Sequence, residues 1–130
     1  MLLIGYKNVA TQTLDELELI NFGTVYRAKD CATFKGTSVS PILSQRGIYH
    51  ITAIISYTVT AETDFQLLQD NEAVSGALYT APIGTGTAVI DYYVLVPCTA
   101  PSLGATSIAV QLVGGGATIT NAILNITKEA

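Results

Sequence analysis

Residues 48–59 read Ile48-Tyr49-His50-Ile51-Thr52-Ala53-Ile54-Ile55-Ser56-Tyr57-Thr58-Val59. Every second residue from Tyr49 to Val59 is apolar or aromatic, whereas the alternate positions are mostly polar. Side chains of a β-strand point alternately to its two faces, so a period of two indicates a strand with one buried face. The stretch therefore predicts a strand that packs one face on a hydrophobic core.

The same alternation recurs along the chain, in residues 88–96, 106–113 and 117–127. The last segment changes phase near Thr120-Asn121, which predicts a β-bulge there. Further strand candidates, separated by turn residues, are residues 17–22, 24–32, 38–43, 63–69 and 73–79. The one helical alternative is residues 13–19, where Thr13 and Glu16 fit a capping box. About eight to ten short strands with almost no helix predict a single all-β domain over residues 1–130, an antiparallel sandwich or a closed barrel.

Charged residues are scarce. They make up 12% of the chain, against 49% for hydrophobic residues, where ordinary soluble domains are about a quarter charged. No window of about 20 residues is continuously apolar, so we expect no membrane-spanning helix. Residues 1–7 are too short and lack the basic start of a signal peptide. We therefore expect the chain to stay where it is made, or to leave the cell by lysis or inside a particle.

The net charge of -4 is unevenly spread. Residues 1–60 carry five basic and four acidic residues, and residues 61–130 carry one basic and six acidic residues. Neither half has the dense basic patch that binds phosphate backbones, so we expect no nucleic-acid partner.

Two long stretches contain no Lys, Arg, Asp or Glu: one between Arg46 and Glu62, the other between Asp91 and Lys128. Charge is depleted where subunits meet, so these strands favour a stable homo-oligomer. A Thr-rich strand surface exposed to water is the alternative, because Thr favours strands on steric grounds alone. Tyr92 and Tyr93 point to opposite faces of one strand, so one of them is a natural anchor. The residues predicted at the interface are Tyr92, Tyr93, Gln111 and Val113.

The sequence offers little that could carry catalysis. His50 is the one histidine, and it lies on the polar phase of its strand without a nucleophile motif nearby. Asp91 stays open as its hydrogen-bond partner. The acidic residues Glu62, Asp64, Asp70 and Glu72 could bind calcium, but they match no EF-hand spacing and fit a solvated loop end. We expect no enzyme activity, no cofactor and no metal site.

Two other features have ordinary explanations. Cys31 and Cys98 match no metal-binding spacing, and they are either reduced, half-buried thiols or a disulfide if their strands are neighbours. Asn125-Ile126-Thr127 fits a glycosylation sequon, which we attribute to chance in a chain without a secretory signal.

Four segments in the same order resemble C1q/TNF-like jelly rolls, in particular short phage and prophage proteins of bacteria. They are Phe22-Gly23-Thr24-Val25-Tyr26-Arg27, the strand from Gly47 to Ala53, the hairpin from Phe65 to Ala77, and the strand from Ala117 to Ala122. The resemblance extends from Asn8 to Lys128. One departure concerns the hairpin turn, where Asn71-Glu72 stands in place of the usual Asn-Gly, so the turn type stays open.

The resemblance implies an antiparallel jelly-roll sandwich and a compact homotrimer. It also implies a virion structural protein, a head decoration or head-fibre subunit, made in the cytoplasm of a host bacterium and bound to a capsid or other virion protein. The alternative is an adhesin tip that recognises a surface glycan or protein through residues 81–87 or 97–104. Residues 1–13 are either an attachment segment, with Leu2, Leu3, Ile4 and Tyr6 as its contact residues, or the first strand of the sandwich. Such fold-based roles rest on analogy.

Overall fold

A computed structural model describes residues 3–29, 34–36, 39–43, 46–96 and 106–129. This part of the chain is built from β-strands and contains no helix. Accordingly, no helix within it is long and apolar enough to cross a membrane. The strands are β1 (Leu3–Asn8), β2 (Gln12–Leu14), β3 (Thr24–Lys29), β4 (Phe34–Gly36), β5 (Pro41–Leu43), β6 (Gly47–Val59), β7 (Thr63–Gln69), β8 (Glu72–Ala81), β9 (Gly84–Val96), β10 (Thr106–Val113) and β11 (Ala117–Lys128).

The strands form two antiparallel sheets with a common core. The six-stranded sheet has the order β3-β1-β11-β6-β9, with β2 also paired to β11, and the five-stranded sheet has the order β4-β5-β10-β7-β8. From β5 onward, every connection except the β7–β8 hairpin crosses from one sheet to the other. This is a jelly-roll sandwich, and the predicted fold class is confirmed. The prediction of eight to ten strands was too low, because β2 and β4 have three residues each and show no alternation.

The core follows the alternation in the sequence. The inward positions of β6, from Tyr49 to Val59, are all buried, and so are the inward positions of β11 from Ala122 to Ile126. Phe65, Leu67, Ile108 and Leu112 face them from the five-stranded sheet. Each large aliphatic or aromatic side chain that leaves water contributes roughly 1.5–3 kcal/mol. The sandwich therefore has a core large enough to fold without a disulfide or a metal.

Two local irregularities occur where the sequence predicts them. The pairing of β11 with β6 shifts register between Ile119 and Asn121, which confirms the predicted bulge and brings both phases of β11 to the core. In the β7–β8 hairpin, Gln69 pairs with Glu72, so the turn consists of Asp70 and Asn71. Both have positive φ, 54° and 65°. This is a type I′ turn, which Asp and Asn tolerate better than other non-glycine residues.

The N-terminal segment is a strand of the sandwich. β1 lies between β3 and β11, and the side chains of Ile4 and Tyr6 are buried in the core. The prediction that these residues attach the protein to a partner is therefore wrong, because their apolar surface is already covered by the chain itself. Leu3 is half-buried in the same strand, and Leu2 lies outside the described residues.

Residues 15–22, which we call the strap, run beside β10 without forming a regular strand. The backbone nitrogens of Leu17 and Ile20 donate to the carbonyls of Leu112 and Val110 at 2.7 and 2.9 Å. Ile20 and Phe22 are fully buried. The predicted strand over residues 17–22 is thus only an isolated bridge at Leu19. The strap extends the edge of the five-stranded sheet beyond the short β5.

The helical alternative over residues 13–19 is also wrong. Thr13 belongs to β2, and the expected capping box is replaced by a turn in which the Glu18 carboxylate accepts from the Asp15 backbone nitrogen at 2.8 Å. Glu16 instead accepts from the backbone nitrogen of Gly114 at 2.9 Å. Pairing with β11 and β10 supplies more hydrogen bonds than one isolated helical turn offers.

A bulge in β8 closes over the outward side of β7. The register of the β7–β8 pair shifts between Gln66 and Leu68, and Gly76 has a positive φ of 82°. Gln66 fills this bulge: its amide nitrogen lies 2.8, 2.9 and 3.2 Å from the carbonyl oxygens of Leu67, Val74 and Ala77. Because carbonyl groups freed by a bulge need new donors, this buried amide keeps the irregularity from costing hydrogen bonds.

Candidate functional site

The outward side of the six-stranded sheet, which we call the open face, is a regular surface whose residues are half-buried or exposed in the central strands β6, β11 and the edge strand β9. It is formed by the alternate residues of β6 from Ile48 to Thr58, of β9 from Thr85 to Leu95, and of β11 from Asn121 to Thr127. These residues lie in rows across the sheet, one of which is Asp91-Thr52-Asn125-Gly5-Arg27. The rows determine which side chains act together.

Apolar side chains are exposed along the β9 edge of this face and on the adjoining β6. Leu95 is 59% exposed, Tyr93 57%, Val89 50% and Ile48 42%. Their neighbours Ile54 and Ile123 are half-buried. Exposed apolar residues that are contiguous across strands are typical of a surface that another protein covers, whereas isolated ones are ordinary.

His50 lies among these residues and is held from three sides. Its Nε2 contacts Asp91 Oδ1, and its Nδ1 is 3.7 Å from Glu129 Oε1. The ring of Tyr93 stacks on the imidazole at a centroid distance of 4.6 Å and an angle of 12°. The partnership of His50 with Asp91, which the sequence left open, is thus present, and it fixes the position of Tyr93 on the open face.

The geometry around His50 does not resemble a nucleophile–base arrangement. The nearby hydroxyl of Thr52 is 3.5 Å from Nε2, the same nitrogen that contacts Asp91. In a triad, the carboxylate and the nucleophile occupy different ring nitrogens. Here both nitrogens face carboxylates, so the cluster orients Tyr93 and carries charge rather than activating a hydroxyl.

One end of the open face is a row of threonines. Thr13, Thr118, Thr58 and Thr85 are paired across β2, β11, β6 and β9. The hydroxyls of Thr58 and Thr85 are 2.9 Å apart. A shallow depression of about 200 Å³ lies beside them. The open face therefore has a hydroxyl-rich end, and exposed apolar side chains along β9 and at the start of β6.

At the β3 edge, two side chains share one acceptor. Tyr26 Oη and Arg27 Nη2 both donate to Asn125 Oδ1, at 2.8 and 3.3 Å. Gly5 lies beneath them, and a Cβ there would be 2.7 Å from both Tyr26 and Asn125. The absence of a side chain at Gly5 thus allows Tyr26 to lie flat on the sheet. Asn125 of the sequon is already engaged within the chain.

The four predicted interface residues do not form one surface. Tyr93 lies on the open face, but Tyr92 points inward, packs against the core and donates to the carbonyl of Ser75 at 3.1 Å. Gln111 and Val113 belong to the other sheet, where the Gln111 amide donates to the Leu17 carbonyl of the strap at 3.1 Å. These residues therefore lie on two sheets rather than on one surface, because β9 and β10 belong to opposite sheets, and their part in an interface stays a prediction.

The apolar residues that accompany Tyr93 were not among the predicted interface residues. Val89, Leu95 and Ile48 sit on strand phases that contain polar residues as well, so alternation alone does not single them out. The signal for them was a large apolar residue on the mainly polar phase of a strand. Only the strand order shows that Ile48 pairs with Leu95 and that Val89 pairs with Ile54.

The acidic residues of β7 and β8 do not form a metal site. Within the described ranges, no three Asp, Glu, His or Cys side chains are placed to hold a metal ion. The carboxylate of Asp70 accepts from Thr106 Oγ1 and from the Ser107 backbone nitrogen, at 2.7 and 3.0 Å. It therefore fixes the start of β10. Cys31 and Cys98 lie outside the described residues.

Solved structures with the same fold include a phage protein and signalling or complement domains. The vertex protein P5 of PRD1, a phage protein, matches with a TM-score of 0.62 and 13% identity over 96% of this chain and 93% of that chain. Pika GITRL matches with a TM-score of 0.61 and 13% identity over 99% and 95%. The globular domain of zebrafish complement 1qA protein matches with 0.61 and 8% over 98% of both chains. No family model and no curated sequence matches the chain.

These matches extend over nearly the whole chain at low identity, so they define its fold. The chain has the C1q/TNF-like jelly-roll fold, as the resemblance in its sequence implied.

Proposed function

We propose that this chain is a phage virion structural protein, a jelly-roll subunit that assembles as a homotrimer and decorates a capsid head or forms a head fibre. In this role it is made in the host cytoplasm, is not an enzyme and binds a capsid or other virion protein. The observation that carries the proposal is the open face, a flat, largely uncharged sheet surface with four exposed large apolar side chains. The fold shared with the PRD1 vertex protein P5 supports the virion role.

The uncharged middle of the open face suits contact with another copy of the chain. Neither β6 nor β11 presents Lys, Arg, Asp or Glu at its outward positions, and β9 presents only Asp91. Interface centres are depleted in charge and enriched in Tyr and in apolar residues. Tyr93, already oriented by its stack on His50, is a rigid aromatic side chain of the kind that anchors interfaces.

The first experiment is the mass of the purified full-length chain by light scattering on a size-exclusion column. We expect three times the chain mass of 13.7 kDa. A Val89→Lys variant places a charge among the exposed apolar side chains of the open face and should give a folded monomer. Leu78→Lys is the matched control, because Leu78 is similarly exposed but lies on β8 in the other sheet. A wild-type monomer, or equal effects of both variants, would contradict the assembly part of the proposal.

The virion part is tested separately. Mass spectrometry of particles purified after induction of the host strain should detect the chain in amounts comparable to other structural proteins. Its absence from particles, with the trimer intact, would overturn the phage role and leave the assembly.

A receptor-binding tip is the second candidate. Ile83, in the turn between β8 and β9, is 72% exposed at one end of the sandwich. An apolar residue at such a tip favours a protein surface over a glycan, since sugars are bound mainly through hydrogen bonds and aromatic stacking. A glycan array without hits, together with binding to host cells that Ile83→Asp abolishes, would favour this role.

A further inference from the structure

Opposite charges lie at the two edges of the six-stranded sheet. The exposed basic residues of the open face are Lys7 on β1 and Arg27 and Lys29 on β3. The acidic residue at the other edge is Asp91 on β9, whose side chain is 59% exposed. The strand order thus places basic residues from the first half of the sequence at one edge of the sheet and an acidic residue from the second half at the other edge.

These charges are too far apart to neutralise each other within one chain. Arg27 and Asp91 occupy the same row, separated by four strand spacings, or roughly 19 Å. The Debye length at physiological ionic strength is about 8 Å. Each edge therefore presents its charge to solvent or to another molecule.

The acidic edge continues beyond the open face. Glu72 is exposed on β8, which contacts β9 across the sandwich. Asp91 is itself oriented by His50, and Arg27 by Asn125 and by the ring of Tyr26, whose centroid is 5.5 Å from the guanidinium carbon. Charged groups held in one position lose less entropy on pairing than mobile ones do.

The β3 edge also has features of a surface that a partner covers. All six residues of β3 are exposed, among them Val25 and Tyr26, which are 48% and 46% exposed. An edge strand exposed on both faces presents unpaired backbone groups along with its apolar side chains. A neighbouring protein at this edge would cover both.

We propose that copies of this chain associate head to tail, with the acidic β9 edge of one copy on the basic β3–β1 edge of the next. A symmetric contact between two β9 edges or two β3 edges would place like charges together, which disfavours it. A head-to-tail contact joins different patches on the two subunits and closes into a ring when the rotation allows it. This inference rests on the proposed self-association and adds which edges meet.

The test is a charge exchange measured by sedimentation equilibrium of the full chain. Arg27→Asp and Asp91→Arg should each weaken self-association by about tenfold or more, and the double variant should recover most of the wild-type affinity, because it restores an opposite-charge pair between subunits. Raising the salt from 0.05 to 0.5 M should weaken the wild type more than either single variant. Thermal unfolding of each variant confirms that it is folded.

Glu62→Lys is the matched control, because it reverses an exposed charge in the connection between β6 and β7, outside both charged edges, and it should change the affinity less than Asp91→Arg. Additive losses in the double variant would overturn the proposed pairing. A trimer that is insensitive to both single changes would overturn it too, while leaving the trimer itself intact. Two copies stacked face to face about a twofold axis would also bring opposite edges together and would respond to the charge exchange in the same way. A dimer would therefore overturn the head-to-tail ring.

Discussion

β10 and β11 follow each other in the uncharged stretch between Asp91 and Lys128, yet their outward sides meet different surroundings. On β10, Ala109 is only 3% exposed beside the buried Leu68 of β7, and Gln111 is bonded to the strap. On β11, the outward residues are half-exposed and adjoin the exposed side chains of the open face. A lack of charge therefore has two meanings in this fold: one strand is covered by its own chain, and the other is available to a partner.

The difference shows why composition alone cannot locate an interface. Both strands lack charge, but only on β10 is an outward residue, Ala109, buried within the described chain. For β10 the surroundings include the strap and the buried Leu68 of β7, which are formed by residues distant in sequence. Only the strand order separates these two cases.

The largest effect should come from breaking the cover of the five-stranded sheet at Gln66. Gln66→Ala removes the amide that lies near three carbonyl groups in the β8 bulge, and we expect the free energy of unfolding to fall by about 3 kcal/mol, since buried carbonyls without donors are costly. Urea unfolding measures this loss. Gln111→Ala, which removes a single bond to the strap, is the control and should cost about 1 kcal/mol. Equal losses would contradict the role of Gln66.

The next effect concerns the strap. The side-chain amide of Gln12 forms two hydrogen bonds with the backbone of Asn21. Its oxygen accepts from the Asn21 nitrogen at 3.0 Å, and its nitrogen donates to the Asn21 carbonyl at 2.8 Å. Gln12→Ala should lower the free energy of unfolding by about 2 kcal/mol. Because a loosened strap uncovers the edge of β10, the variant should also aggregate more readily at high concentration. Native-state hydrogen exchange should show faster exchange at Leu17 and Ile20 than in β6, and uniform protection would argue against this view of the strap.

Much of the fold could be predicted from particular residues. The alternation in β6, β9 and β11 identifies their buried faces, and the phase change at Thr120-Asn121 identifies the bulge, because a half-buried strand leaves a period of two in its sequence. The strap could not be predicted in the same way. Ile20 and Phe22 look like one face of a strand, but they are buried from an irregular segment whose partners are set by tertiary contacts.

The candidate site was predictable in part. Tyr93 was assigned to an interface by its strand phase and lies on the open face, where its role in assembly stays a prediction. Tyr92 and Gln111 could not be placed, because their surroundings depend on strands that are distant in sequence. The basic and acidic edges were visible only as a charge imbalance between two halves of the chain. Their positions required the strand order.

A smaller effect should appear at alkaline pH. It arises on the side of the sandwich opposite the strap. The hydroxyl of Tyr57 on β6 is 3.5 Å from that of Tyr79 on β8. This hydrogen bond, together with burial and the charge of an ionised Tyr79, raises the pKa of Tyr57 above its ordinary value of 10.0. The unfolded phenol then ionises at a lower pH than the folded one, so unfolding releases a proton above about pH 10 and stability falls as the pH rises.

Tyr57→Phe isolates this contribution. The stability advantage of the wild type over the variant should be full below pH 10 and should shrink as the pH rises further. Chemical unfolding of both proteins between pH 8 and 11.5 measures the difference. A constant difference over that range would show that the pKa of Tyr57 is the same in the folded and the unfolded state.

The smallest effect on folding, and the sharpest test of the comparison, is expected at Leu95. Leu95→Thr removes an exposed apolar side chain from the open face, so the free energy of unfolding of the monomer should change by less than about 0.5 kcal/mol. Self-association should nevertheless weaken, since the apolar area that a partner would cover is smaller.

On β10, Ala109→Thr should show the reverse: a clear loss of stability, because a larger polar side chain must fit a covered position, and little direct effect on association. Light scattering and urea unfolding of both variants distinguish the two outward sides, and a loss of stability at Leu95 would mean that the chain covers both.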